Sequence, residues 1–136
     1  MVTDFKKQGK KNRLKGKKFE VDTYKKFSEE GWAVTKWRNQ IDLQTDEIIP
    51  AKNHYLPGRG NVMGSGFPDF VMFRIDDDFK HLYEVMFVEC KISNKLDKTE
   101  KLKMQALKNM GHNVYIAYLE DKEIMLREFE GYENKT

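Results

Sequence analysis

Hydrophobic and polar positions change period several times along this chain, and each change marks an element. Between Arg13 and Gly31 the spacing is helical: Tyr24 and Phe27 lie four and seven residues beyond Glu20, with Phe19 beside them, and Gly31 is a helix stop. That face turns Glu20 toward the core, where a carboxylate is costly unless paired, hydrogen-bonded or bound to metal. Trp32 to Arg38 is rich in aromatic and β-branched residues and predicts a strand. From Asn39 to Gly66 no clear period survives; Pro50, Pro57 and four glycines read as a long loop, and Ile41, Leu43, Ile48 and Ile49 leave room for a hairpin turning around 44–47.

Beyond the loop, Asp69 to Arg74 carries the apolar run Phe70-Val71-Met72-Phe73 of a central strand, and Asp76-Asp77-Asp78 supplies a turn. In the strand expected over His81 to Lys91, a period of two puts Val85, Phe87, Glu89 and Lys91 on one face and Cys90 on the other. Asp97 and Glu100 have capping-box spacing and open a helix that ends at Gly111, with Leu102, Ala106 and Met110 as its inner stripe and Gln105 flanking it. Asn113 to Leu119 and Glu123 to Phe129 are two more strands, joined by a tight turn at 120–122. The order αβββαββ predicts an α/β fold with a mixed central sheet flanked by helices.

At 136 residues and 39% hydrophobic content, one domain is expected, spanning 15–136 behind a basic arm at 1–14, with the long loop at 39–66. The net charge of +3 hides an asymmetry. Residues 1–18 hold eight lysines and arginines, among them Lys10, Lys11, Arg13, Lys15 and Lys17, against Asp4 alone. Such a cluster attracts a nucleic-acid backbone through counterion release. Arg38, His54, Tyr55 and Arg59 add phosphate forks and stacking planes in the loop and at a strand end. A single cysteine excludes an intramolecular disulfide, and the three histidines lack zinc-ligand spacing. With no signal peptide or long apolar stretch, the expectation is a cytoplasmic protein without a membrane segment.

The chemistry is concentrated at two strand ends. Pro68-Asp69 precedes one apolar run and Glu89-Cys90-Lys91 closes the next, so two carboxylates and an ammonium fall at adjoining positions. Hard Mg²⁺ takes one or two protein carboxylates and keeps positions for water and phosphate. Asp69 and Glu89 suit that role, Mn²⁺ being a natural substitute, and the Cys90 carbonyl lies between the acid and the lysine to complete the shell. Lys91 on the same face would orient the attacking water or stabilise charge on the phosphorane-like transition state.

These residues resemble the PD-(D/E)xK nuclease superfamily, from about Lys15 to Leu119. Gly16-Lys17-Lys18-Phe19-Glu20, Gly31-Trp32-Ala33-Val34, Pro68-Asp69 and Val88-Glu89-Cys90-Lys91 are similar to archaeal Holliday-junction resolvases. Gly64-Ser65-Gly66-Phe67-Pro68-Asp69 with Gln105 and Gly111 is similar to the virus-type replication-repair nuclease domain. The resemblance implies a restriction-endonuclease-like core, a Mg²⁺-dependent endonuclease acting on DNA, a place for Glu20 in the metal site and a supporting role for Gln105. This chain has Val21 where archaeal resolvases usually carry an arginine, and a longer segment before Pro68-Asp69. Resolving a four-way junction would require a homodimer, with two sites facing opposed strands. The alternatives are a repair or restriction-type nuclease on linear or flap DNA, and a module that binds nucleic acid without chemistry.

Overall fold

The structure, a computed structural model, describes residues 2–51, 53–56, 60–63, 66–75 and 83–131, with side chains for all of these but 2–6, 53–56, 60–63, 75 and 83. Two helices and a five-stranded mixed sheet form its frame. Helix α1 (Val2–Glu29) leads into β1 (Ala33–Lys36); β6 (Phe70–Ile75), β7 (Tyr83–Cys90), α2 (Lys98–Asn109), β8 (Val114–Glu120) and β9 (Glu123–Glu128) complete the frame. The strands lie in the order β1-β6-β7-β8-β9, antiparallel except for the β7–β8 pair. That parallel pair needs a crossover, and α2 provides it. No helix among the described residues is long and apolar enough to cross a membrane.

The first helix does not begin near Arg13: it runs from Val2. Lysine, arginine, glutamine and leucine are all good helix formers, no proline intervenes, and pairs such as Gln8–Asn12 and Lys18–Asp22 bridge successive turns. Its buried stripe also differs from the expected one. Phe19, Thr23 and Phe27 point inward at four-residue spacing, and Thr23 donates its hydroxyl to the Phe19 carbonyl at 2.7 Å. Glu20 and Tyr24 lie one residue round from that stripe, so Tyr24 is exposed and Glu20 sits at the margin, half-buried. Thus Phe27 is shared, but the buried face passes through Phe19 and Thr23 and not through Glu20 and Tyr24, each about 100° away round the axis.

The long segment after β1 is not a plain loop. It holds two antiparallel hairpins, β2 (Gln40–Asp42) with β3 (Glu47–Ile49), and β4 (Asn53–Leu56) with β5 (Gly60–Met63). The first turns where expected: the Asp42 carboxylate accepts the Gln44 N–H at 2.9 Å, and Asp46 takes a positive φ of 54°. Ile41 anchors this hairpin in the core beside α2.

The sheet carries a core on each face. On one, Phe19 and Phe27 of α1 meet Phe70, Met72, Met86 and Val88; on the other, Met104 and Leu107 of α2 meet Phe87, Val114 and Ile116. The stripe expected for α2 is corrected here too, because Leu102 and Met110 are exposed while Met104, Ala106 and Leu107 are buried. The capping box is present as read, with Asp97 at the N-cap.

Between the hairpins and β6, the chain returns tightly against β1. Phe67 N–H donates to the Asn39 carbonyl at 3.1 Å and Trp37 N–H to the Asp69 carbonyl at 3.0 Å, prolonging the β1–β6 ladder past Lys36. Gly66 makes the approach feasible, since a Cβ there would overlap the Trp37 carbonyl oxygen and lie 2.6 Å from the Arg38 Cα. Gly66→Ala should therefore cost about 1–3 kcal/mol, the scale of overpacking, read as a lower urea midpoint at unchanged slope. An unchanged midpoint would show that this crossing is not tight.

Candidate active site

Register decides which side chains meet. In the β6–β7 ladder Phe70 pairs with Val88, so the next step outward sets Asp69 opposite Glu89. Two hydrogen bonds lock that step: Asp69 N–H donates to Glu89 Oε1 at 3.1 Å, and Cys90 N–H donates to Asp69 Oδ2 at 2.8 Å. The two carboxylates thus replace main-chain carbonyls as acceptors at the end of the ladder. Glu89 is only 6% exposed. Burial and the neighbouring Asp69 charge push its pKa from 4.5 up to about 10, with hydrogen bonds to Asp69 and Glu100 adding to the shift. Near neutral pH this environment favours the protonated form of the Glu89 carboxyl.

Lys91 follows β7 and sits with its ammonium 2.6 Å from Glu100 Oε2. Burial works against its charge, but the Glu100 hydrogen bond and charge, with those of Glu89 and Asp97, outweigh it and hold the pKa above its ordinary value. The group is a fixed cation. Cys90 points to the opposite face, beside Thr23 and Glu20, where burial and the Asp69 charge raise its thiol pKa. Glu20 reaches this strand end from α1 and pairs with Lys36 at 3.1 Å. A groove of about 490 Å³ joins Glu20, Cys90 and Lys91 and continues along α1 past Lys15 and Asn12.

Asp69, Glu89 and Lys91 therefore meet at one strand end, with Glu20 at its margin. Gln105, on α2, is about 140° round the helix axis from Glu100 and donates to Asn109 at 2.8 Å. Lys10, Lys11, Arg13, Lys15 and Lys17 are exposed along α1, and a second groove, lined by Lys10, Arg13 and Lys17, also reaches Glu20. Arg38 is exposed just beyond β1. Arg59 lies outside the described residues, as do the side chains of His54 and Tyr55. Two participants are not evident from the sequence. The spacing there marks Glu100 for helix capping alone, and Lys36 carries no signal beyond its place at the end of β1, opposite Phe70.

The donor set fits Mg²⁺. Asp69 and Glu89 offer hard oxygens side by side, a pair that cannot ionise together without a compensating cation, and the Lys91 ammonium is already engaged by Glu100. Among the described residues no group of three or more His, Cys, Asp or Glu side chains is gathered as a metal cage, and an ion that takes one or two carboxylates does not demand one. Comparison of the chain with protein-family models, curated proteins and solved structures returned no match.

The Glu89 shift has a signed consequence. Between pH 4.5 and about 10 the folded protein keeps a proton that the unfolded chain releases, so this group's contribution is complete at the acid end and is lost as pH rises. In chelator, the melting temperature should fall across that window, and Glu89→Gln should flatten the slope. A melting temperature that rises with pH, or an equal slope in the variant, would contradict the assignment.

Proposed function

We propose that this chain is a Mg²⁺-dependent endodeoxyribonuclease of the PD-(D/E)xK type, with a restriction-endonuclease-like core, acting on branched or junction DNA. The observation that carries the reading is the Asp69–Glu89 pair, locked across two strands with the Lys91 ammonium on the same face. Such a pair admits either a proton or a cation between its oxygens, and the adjoining Lys91 ammonium is a group that a purely structural, proton-sharing pair does not require. Asp69 and Glu89, with the Cys90 carbonyl, are the groups that would hold the ion. Bound there, a divalent cation supplies charge neutralisation at the phosphate and acidifies the attacking water.

The protein's own groups do the rest. Lys91, held cationic, donates to phosphate oxygen as negative charge builds, and is not the base that takes the water's proton. Glu20, paired with Lys36, borders the site from the opposite sheet face and tunes its charge. The exposed lysines of α1 bind backbone phosphates beside the groove, fixing position without reading sequence.

A cleavage panel of four-way junction, flap, single strand and linear duplex with Mg²⁺ tests the reading. Cleavage should cease in EDTA. Asp69→Ala, Glu89→Ala and Lys91→Ala should each lower the rate by about a hundredfold or more while leaving binding within a few-fold. Joint replacement of Lys10, Lys15 and Lys17 by alanine should weaken binding and flatten its log–log salt dependence by about 0.9 for each phosphate no longer neutralised. No cleavage of any substrate with Mg²⁺ or Mn²⁺ would refute the proposal, and cleavage confined to the linear duplex would remove its junction specificity.

A further inference from the structure

Glu100 holds more than the helix end. It is the N3 residue of α2, and its two oxygens are divided: Oε1 accepts the Asp97 N–H at 2.9 Å, closing the capping box, while Oε2 meets Lys91 Nζ at 2.6 Å. A capping box asks only for a side-chain acceptor, which glutamine supplies as well as glutamate. The helix dipole favours an acid in the first turn, but an exposed acid satisfies it. Here the Glu100 side chain is only 15% exposed and lies against Glu89, itself buried beside Asp69. Capping therefore leaves the buried charge unexplained, and Lys91 explains it. Among the described residues this is the shortest and least exposed ion pair.

We infer that Glu100 is a positioning residue that tethers the Lys91 ammonium beside the Asp69–Glu89 pair. The inference rests on the nuclease reading and extends it to α2. Lysine has a flexible four-carbon stem with many rotamers, so an untethered Lys91 would spread over positions away from the reacting phosphate. The tether is itself fixed, since Glu100 accepts the Asp97 amide. Misplacing a catalytic group by about 1 Å costs on the order of a hundredfold.

Three variants of the full chain separate tethering from helix capping. Glu100→Gln keeps the capping acceptor and removes the charge; Asp97→Ala removes the N-cap acceptor but keeps Glu100; Glu100→Asp restores the charge on a shorter stem. On the substrate that the wild type cleaves best, Glu100→Gln should lower kcat about ten- to a hundredfold with KM and melting temperature near wild type. Asp97→Ala should lower the melting temperature and spare kcat, and Glu100→Asp should recover part of the lost rate. A second readout is independent of cleavage: the Lys91 ammonium should give a slowly exchanging ¹H–¹⁵N signal in the metal-free protein, absent in Glu100→Gln. Full kcat in Glu100→Gln, a loss matched by Asp97→Ala, or no rescue by Glu100→Asp overturns the inference, as does a wild type without the ammonium signal. An intact signal in a wild type that cleaves nothing sinks the nuclease reading, and the catalytic role of the tether with it.

Discussion

The pairing of Asp69 with Glu89 is the constraint on which the site depends, and it is a matter of strand register. A β-strand alternates its side chains, so a slip of one residue between β6 and β7 would send one carboxylate to the opposite face. Apolar pairs further along the same ladder, Phe70 with Val88 and Met72 with Met86, hold that register by burial. Hydrophobic packing thus enforces an arrangement that electrostatics opposes. The reciprocal bonds to the Asp69 and Cys90 amides recover part of the cost, since each carboxylate takes an N–H that would otherwise lack a ladder partner.

The two faces of the sheet contribute different things at this end. Glu89 and Lys91 lie on the α2 side, where the short connection from β7 brings Glu100 back over the lysine. Cys90 lies on the α1 side, and α1 delivers Glu20 and the exposed lysines there. Because β7 ends at Cys90, groups from both faces converge around the strand end; farther back the sheet would separate them. The tight return of residues 66–69 along β1 brings Asp69 to the same end.

Much of this was legible in the sequence where a local rule was strong. The period of two assigned Glu89 and Lys91 to one face, and the spacing of Asp97 and Glu100 marked the start of α2. Helix faces were less legible. In α2 the set Leu102, Ala106, Met110 and the set Met104, Ala106, Leu107 are equally apolar, and only packing against Phe87, Val114 and Ile116 selects the second. In α1, Thr23 holds a buried position because its hydroxyl bonds to its own helix backbone, which removes the penalty that favoured the aromatic Tyr24. The second hairpin escaped because strands of four residues are too short to establish a period. Glu100 escaped for a different reason: its tie to Lys91 depends on the path of residues 92–97, which no local spacing encodes.

Charge connects the site to its surroundings. The lysines of α1 lie exposed along one helix, while the strand end gathers Asp69, Glu89 and Glu100 around a single engaged ammonium. A polyanion is therefore attracted along the helix and repelled at the carboxylates. On the nuclease reading a divalent cation at Asp69 and Glu89 would offset that repulsion, adding to the Lys91 ammonium already positioned by Glu100. The helix then concentrates DNA beside the site where that cation would be held.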